Sequence, residues 1–169
     1  MVERLWAPWR LEYVAGERQG ACFLCEAAEI EDAADACRLW RDERVLVVLN
    51  RFPYNNGHLM VAPVAHVGDF GALDDETVLA LVRALERMKD LLDEVLAPDG
   101  YNVGVNLGKA AGAGLADHLH IHIVPRWHGD TNFMAVLADT KVVPQALEDL
   151  RQKLLAALAG DEWANAGDV

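Results

Sequence analysis

Positive charge is scarce in this chain. Its 169 residues hold 15 Lys and Arg against 27 Asp and Glu, a net charge of −12. Affinity for a nucleic-acid backbone comes from neutralising phosphates with Lys and Arg, so this balance argues against nucleic acid as a partner. A small phosphorylated ligand stays open, because one local pocket can be donor-rich inside an acidic molecule. Long apolar runs are also missing. None approaches the roughly 20 residues that span a bilayer, so no membrane partner is expected. The first residues carry Glu3, Arg4 and Arg10 and no apolar core of a signal peptide, and the expectation is a cytoplasmic protein. Cysteine is sparse and odd in number: three residues in a chain of cytosolic character argue against a disulfide framework. Internal repeats and linkers are absent, and the length fits one domain with a substantial core, residues 1–169.

What is there is histidine in an unusual place. Half of the six histidines fall in one short run, His118-Leu119-His120-Ile121-His122-Ile123-Val124. In a strand, successive side chains point to opposite faces, so three imidazoles line one face while Leu119, Ile121 and Ile123 anchor the other. Three imidazoles on one face can bind a metal, shuttle protons or act as nucleophiles near neutral pH. Cys22 and Cys25 are spaced C-x-x-C, a pattern that serves metal sites, redox sites or neither.

The periodicities predict the surrounding elements. Residues 1–20 have no period and read as an extended N-terminal arm with Trp6, Pro8, Trp9 and Tyr13 as apolar anchors. A short helix is expected over 26–30. Strands are expected over 38–40 and 45–49, joined by a polar turn over 41–44. Asn55-Asn56-Gly57 signals a turn before a strand over 58–62. Residues 74–96 form the clearest helix, with Val78, Leu81, Val82, Leu85, Met88, Leu92, Val95 and Leu96 on one stripe, and acidic residues at its N-terminus. Strands over 101–107 and 118–125 flank a small-residue loop, 108–114. A second amphipathic helix is expected over 144–159, and a frayed tail over 160–169 apart from Trp163. Strands, a long helix, strands and a C-terminal helix make an α+β fold with a mainly antiparallel sheet.

The triad run, together with Asn50-Arg51-Phe52-Pro53-Tyr54-Asn55-Asn56-Gly57-His58-Leu59-Met60-Val61-Ala62-Pro63, resembles the signature segments of the histidine triad (HIT) superfamily of nucleotide hydrolases and nucleotidyl transferases. Val124-Pro125-Arg126-Trp127 and the N-terminal Leu5-Trp6-Ala7-Pro8-Trp9-Arg10 look most like the branch of diadenosine tetraphosphate phosphorylases and their bacterial relatives. The resemblance spans the chain except its last dozen residues. It implies a HIT-like homodimer formed across the sheet and long helix. It implies that His120 is the nucleophile that becomes covalently nucleotidylated, that His122 contacts the phosphoryl or leaving-group oxygen, and that His58 is the fourth histidine supporting the triad. It also implies a structural zinc on Cys22, Cys25, His66 and His118, which makes His118 a ligand rather than a catalytic group. Asn106 aligns with a residue at the phosphates and Asn50 with one near the ribose hydroxyls. The expected substrate is a small dinucleoside polyphosphate, with an adenosine phosphoramidate or a nucleotide-binding module of little turnover as the other readings.

The residues add their own evidence on the ligand. Gly108, Gly112 and Gly114 allow close backbone approach to phosphate, or simply make a flexible loop. At Gly114 relatives usually carry a polar Gln or Ser, so one side-chain contact is missing here. A polyphosphate needs cations, and Lys109, Arg126, Arg51 and Arg10 are the candidates, each also readable as a solvated surface charge. Trp127 either stacks on a base or fills a core or dimer interface.

Overall fold

The computed structural model describes residues 22–30, 37–130, 145–161 and 163. The expected N-terminal arm, with Arg10 and its tryptophans, lies outside the described residues, as do Pro144 and most of the tail. The element order is α1 (Phe23–Glu29), β1 (Arg38–Arg41), β2 (Val45–Leu49), β3 (Leu59–Pro63), α2 (Asp75–Leu96), β4 (Gly100–Val105), β5 (Ile121–Arg126) and α3 (Leu147–Leu158). The five strands form one antiparallel sheet in the order β1-β2-β3-β5-β4. The α+β expectation holds. No helix of the described residues is long and apolar enough to cross a membrane.

Strand alternation splits the sheet into two faces. Val45, Val47, Leu49, Leu59, Val61, Ile121 and Ile123 join Leu81, Met88, Leu91 and Leu92 of α2 and Leu150, Leu154 and Leu158 of α3 in the main core. The intervening Leu46, Val48, Met60 and Ala62 pack under Leu24, Ala27 and Ala28 of α1. A bulge places both Leu39 and Trp40 of β1 opposite Val47, which explains why two successive apolar residues share the main core. Arg38 and Arg41 carry the α1 face of β1. Their guanidiniums donate to the carbonyls of Ala27, Ala28 and Ile30, supplying partners for the open C-terminal end of that short helix.

The long helix begins as its sequence dictates. Asp74 is its N-cap, its carboxylate accepting from Thr77 N at 2.6 Å. Its buried side is centred on Thr77, Leu81, Ala84, Met88, Leu91 and Leu92. Val82, expected on the stripe, is instead 53% exposed. One step around a helix turns about 100°, so Val82 leaves the sheet when its neighbour Leu81 faces it. Leu79 is 49% exposed on the same outer side. The C-terminal helix starts at Leu147, and Leu150, Leu154 and Leu158 give it the expected four-residue apolar spacing. The tail is anchored further than expected. Trp163 stacks on Trp40 with ring centroids 3.8 Å apart, and Asp161 pairs with Arg87.

Gly57 decides how the triad's neighbour enters the sheet. Its φ of +77° is left-handed, and a Cβ there would lie 2.6 Å from Leu96 Cδ1 and 3.0 Å from Pro125 Cγ. Only a glycine lets the Asn55–His58 turn press against the end of α2.

Candidate active site and metal centre

His122 sits on β5 opposite Met60 of β3 and Gly104 of β4, on the sheet face away from the main core. The hydrogen-bonded strand starts at Ile121 rather than at His118. The reason is local: Leu119 N–H bonds to Val67 O, in the loop after β3, at 2.6 Å. His118–His120 therefore run alongside that loop before joining the ladder. This divides the triad. The His118 ring lies 5.0 Å from that of His66, while the His120 and His122 rings meet edge to face at 4.9 Å.

The hydrogen bonds assign the proton on each ring. His120 Nδ1 lies 2.8 Å from the His118 carbonyl, which can only accept, so Nδ1 carries the hydrogen. The neutral ring then presents Nε2 with a free lone pair. Burial pushes the His120 pKa down, which keeps that lone pair unprotonated near neutrality. Tyr54 N–H donates to His58 Nδ1 at 3.1 Å, so neutral His58 carries its proton on Nε2. That proton points at His122 Nδ1, 2.9 Å away, which leaves His122 with its own proton on Nε2. One ring thus offers a lone pair and its neighbour offers a proton. His58 is fully buried, and Tyr54 packs against it at 4.6 Å between centroids.

His118 is turned the other way. Its Nε2 donates to the Pro63 carbonyl at 2.8 Å, so Nδ1 is the free acceptor. That atom lies 3.1 Å from Cys22 Sγ and 3.6 Å from Cys25 Sγ, while His66 Nδ1 lies 3.2 Å from Cys25 Sγ. All four ligand atoms fall within 4.8 Å of one another. Tetrahedral zinc with bonds of about 2.0–2.3 Å needs ligand atoms about 3.3–3.8 Å apart, so the set fits with small adjustments. Burial, with the adjacent Cys22 sulfur, pushes the Cys25 thiol up to about 11. Two packed thiols disfavour ionisation, and a divalent cation reverses that preference. Cys22 is the N-cap of α1 and Cys25 lies in its first turn, so the expected helix begins three residues earlier and includes one of the cysteines.

The nucleotide-side residues are more spread out. Asn50 follows β2, and its amide contacts Met60 Sδ at 3.7 Å, which places it on the His122 face two strands over, beyond β3. The β4–β5 register, Val105 opposite Ile121, carries Asn106 to the level of His120. Gly104, opposite His122, leaves open space beside that ring. Lys109, Gly112 and Gly114 lie exposed in the loop beyond β4, with Gly108 and Gly112 in left-handed conformations at φ +77° and +84°. Arg51 is exposed beside Asn50. Arg126 is already engaged. Its guanidinium binds both Asp130 carboxylate oxygens, at 2.6 and 2.8 Å, and Asn102 Oδ1 at 2.6 Å. It ties the strand ends together, so it does not stand free as a phosphate cation. Trp127 is partly buried, with its backbone N–H bonded to Asp130 at 3.2 Å.

Three residues of this region escaped the sequence reading. Tyr54 orients His58 through its backbone, which no side-chain motif can announce. Asn55 is 5% exposed, and its amide donates to Pro125 O and Asp130. Asp130 collects Arg126, Trp127 and Asn55. The Asn-Asn pair ahead of the turn glycine and His58 was the available signal for Asn55; Asp130, four residues after an arginine but in a turn, gave none.

Comparison with known proteins agrees with this geometry. The HIT domain model matches residues 31–129. The chain belongs to the histidine triad family. Over 96% of its length it is 38% identical to the AP-4-A phosphorylase of Mycobacterium tuberculosis, covering 85% of that protein. It is 31% identical to a zinc-bound histidine triad family protein from Mycobacterium smegmatis, with a TM-score of 0.64 over 82% of this chain and 94% of that one. A HIT-like protein of Bartonella henselae superposes with a TM-score of 0.58 at 25% identity, over 71% of this chain and 84% of that one. The five-stranded antiparallel sheet and its helices are those of these histidine triad proteins.

Proposed function

We propose that this protein is an enzyme that cleaves a phosphoanhydride of a dinucleoside polyphosphate, diadenosine tetraphosphate above all, through a nucleotide carried on His120. The carrying observation is the assignment of protons: a lone pair on His120 Nε2 beside a proton on His122 Nε2. The 38% identity with an AP-4-A phosphorylase over nearly the whole chain supports the substrate class. In this reading His120 Nε2 attacks the α-phosphorus, and the bond to the bridging oxygen breaks. The departing polyphosphate oxygen leaves as an anion that accepts a hydrogen bond from His122 Nε2–H, and His58 holds His122 in the tautomer that donates it. Water or inorganic phosphate then displaces His120 from the phosphorus. Asn50 and Asn106 flank the histidines, at the ribose and the phosphates respectively. Gly112, Gly114 and Lys109 face the outer phosphates, and Trp127 stacks on a base.

Zinc on Cys22, Cys25, His66 and His118 completes the proposal. Its role is to pin α1, the loop after β3 and the start of the triad together. The deciding experiment incubates purified protein with diadenosine tetraphosphate, with and without phosphate. ADP plus ATP that depends on phosphate marks phosphorolysis. ATP plus AMP marks hydrolysis by the same residues. No turnover under either condition, with adenosine phosphoramidate turned over instead, overturns the substrate assignment.

A homodimer belongs to the same reading. β4 is an edge strand exposed on both faces, with Val103 51% exposed, and Leu107 just beyond its end is 46% exposed. An open, apolar edge invites pairing with a second copy. Light scattering at micromolar concentration is expected to report twice the 18.6 kDa chain mass; the single-chain mass there rejects the dimer.

A further inference from the structure

We propose that Asp130 is a positioning residue for the His58–His122 pair, acting through Asn55. This rests on the reading that His122 donates its Nε2–H to the departing oxygen as a hydrogen bond. Asp130 is a carboxylate with its side chain only 10% exposed, at the end of the chain's turn out of β5. Its Oδ2 accepts from Asn55 Nδ2 at 2.8 Å, from Arg126 Nε at 2.6 Å and from Trp127 N at 3.2 Å. The same Asn55 amide donates to Pro125 O at 3.0 Å. Asn55 is therefore nailed to the β5 end by two bonds from one group. Asn55 O in turn accepts from His58 N at 3.2 Å, and Tyr54, the residue before it, gives the N–H that fixes the His58 tautomer.

The consequence is geometric. His122 rides on β5, and His58 rides on the turn before β3. The strand pairing Leu59–Ile123 sets their distance along the sheet. It does not set the approach of the Tyr54 N–H to His58, because Tyr54 lies in the turn, outside the ladder. The Asp130–Asn55 link makes that connection. A charged acceptor holds an amide more tightly than a neutral one does, and the Arg126 guanidinium, bound to both oxygens, fixes the carboxylate's own orientation. The same carboxylate anchors the backbone of Trp127, so one buried charge sets both the His58–His122 pair and the turn that presents the tryptophan.

The test uses the full chain without substrate first. Long-range proton–nitrogen spectra of the imidazoles in the wild type are expected to give His58 protonated at Nε2 only, and His122 likewise. Asp130→Asn places a donor where three donors converge and breaks the link. Asn55→Ser removes the amide but leaves the Arg126–Asp130 ion pair, so it serves as the decisive variant if Asp130→Asn does not fold. Either variant, in folded protein, is expected to average the two nitrogens of His58 and His122. Asp99→Asn is the control. It loosens the same turn from its other side, where Asp99 accepts from His128 N at 2.7 Å, and is expected to leave those signals as in the wild type. With diadenosine tetraphosphate, kcat of Asn55→Ser should fall roughly 10- to 100-fold while KM stays within about 3-fold, the signature of a displaced reacting group; Asp130→Asn should lose kcat likewise and also raise KM, because it releases Trp127. Wild-type imidazole signals in folded Asn55→Ser, or an equal disturbance from Asp99→Asn, overturn the proposal. If the wild type turns over no dinucleoside polyphosphate, the reaction assignment fails, and the imidazole spectra still decide the role of Asp130.

Discussion

Replacing His120 by alanine is expected to abolish turnover while the protein stays folded and still binds nucleotide. The His120 ring is 6% exposed and makes one polar contact to the chain among those described above, Nδ1 to the His118 carbonyl. Leaving that carbonyl without its donor costs about 1–3 kcal/mol, against a typical total stability of roughly 5–15 kcal/mol. The variant should therefore fold, and the assay reads chemistry rather than unfolding. Neither of the other two triad histidines is placed to replace the lost lone pair. His118 Nδ1 is turned to the two cysteines, and His122 Nδ1 is taken by His58. A nucleophile removed without a substitute costs roughly 10⁴-fold or more in kcat. Nucleotide affinity should change by only a few-fold, because Asn50, Asn106 and Trp127 are untouched. Incubating wild-type protein with α-labelled substrate, quenched without acid, should leave label on His120. Turnover by His120→Ala near the wild-type rate refutes the nucleophile assignment.

The alternation His-Leu-His-Ile-His was enough to place the triad, because a strand has a period of two and only one arrangement puts three imidazoles apart from three apolar residues. By itself it did not show that the His118 ring turns away from the other two, a division that only the family resemblance implied. That division depends on acceptors from elsewhere in the chain: the Pro63 carbonyl for His118, the His118 carbonyl for His120, and His58 for His122. Tautomers are set by backbone atoms that every sequence possesses, so no residue pattern encodes them locally. The same limit hid Tyr54 and Asp130. The long helix was legible in length and cap because Asp74 and the apolar spacing are local signals. Its face was misjudged at Val82, since an apolar residue beside the stripe looks the same in sequence whether it meets the sheet or solvent. Arg126 was misjudged for the opposite reason. Its charge is plain in the sequence, but the carboxylate that consumes it sits in a turn with no helical or strand spacing to link the two.

Exchanging Cys22 for serine is expected to strip the metal and soften the whole triad end of the sheet. Serine is close in size and is a favourable residue at the N-cap position that Cys22 holds, so the change removes a thiolate ligand and little else. Protein prepared without chelators should hold about one zinc per chain in the wild type and a trace in Cys22→Ser. The stability loss follows from linkage. A metal present at about 1,000 times its Kd contributes roughly 4 kcal/mol to folding, and for a chain of this size each kcal/mol moves the melting temperature about 2–4 °C. A drop of about 8–16 °C is therefore expected. A helix as short as α1 does not stand alone. Its C-terminal end is held by Arg38 and Arg41, and its N-terminal end by the cysteine cluster. Without the metal that end is free, and His118 loses the partner that orients the carbonyl beneath His120, so kcat should fall as well. A chelator should reproduce the drop in the wild type and add nothing to Cys22→Ser. Cys37 lies outside the cluster, and Cys37→Ser should keep its zinc. Wild-type protein with no more than a trace of zinc, or Cys22 and Cys25 joined in a disulfide in reducing buffer, removes the metal from this site.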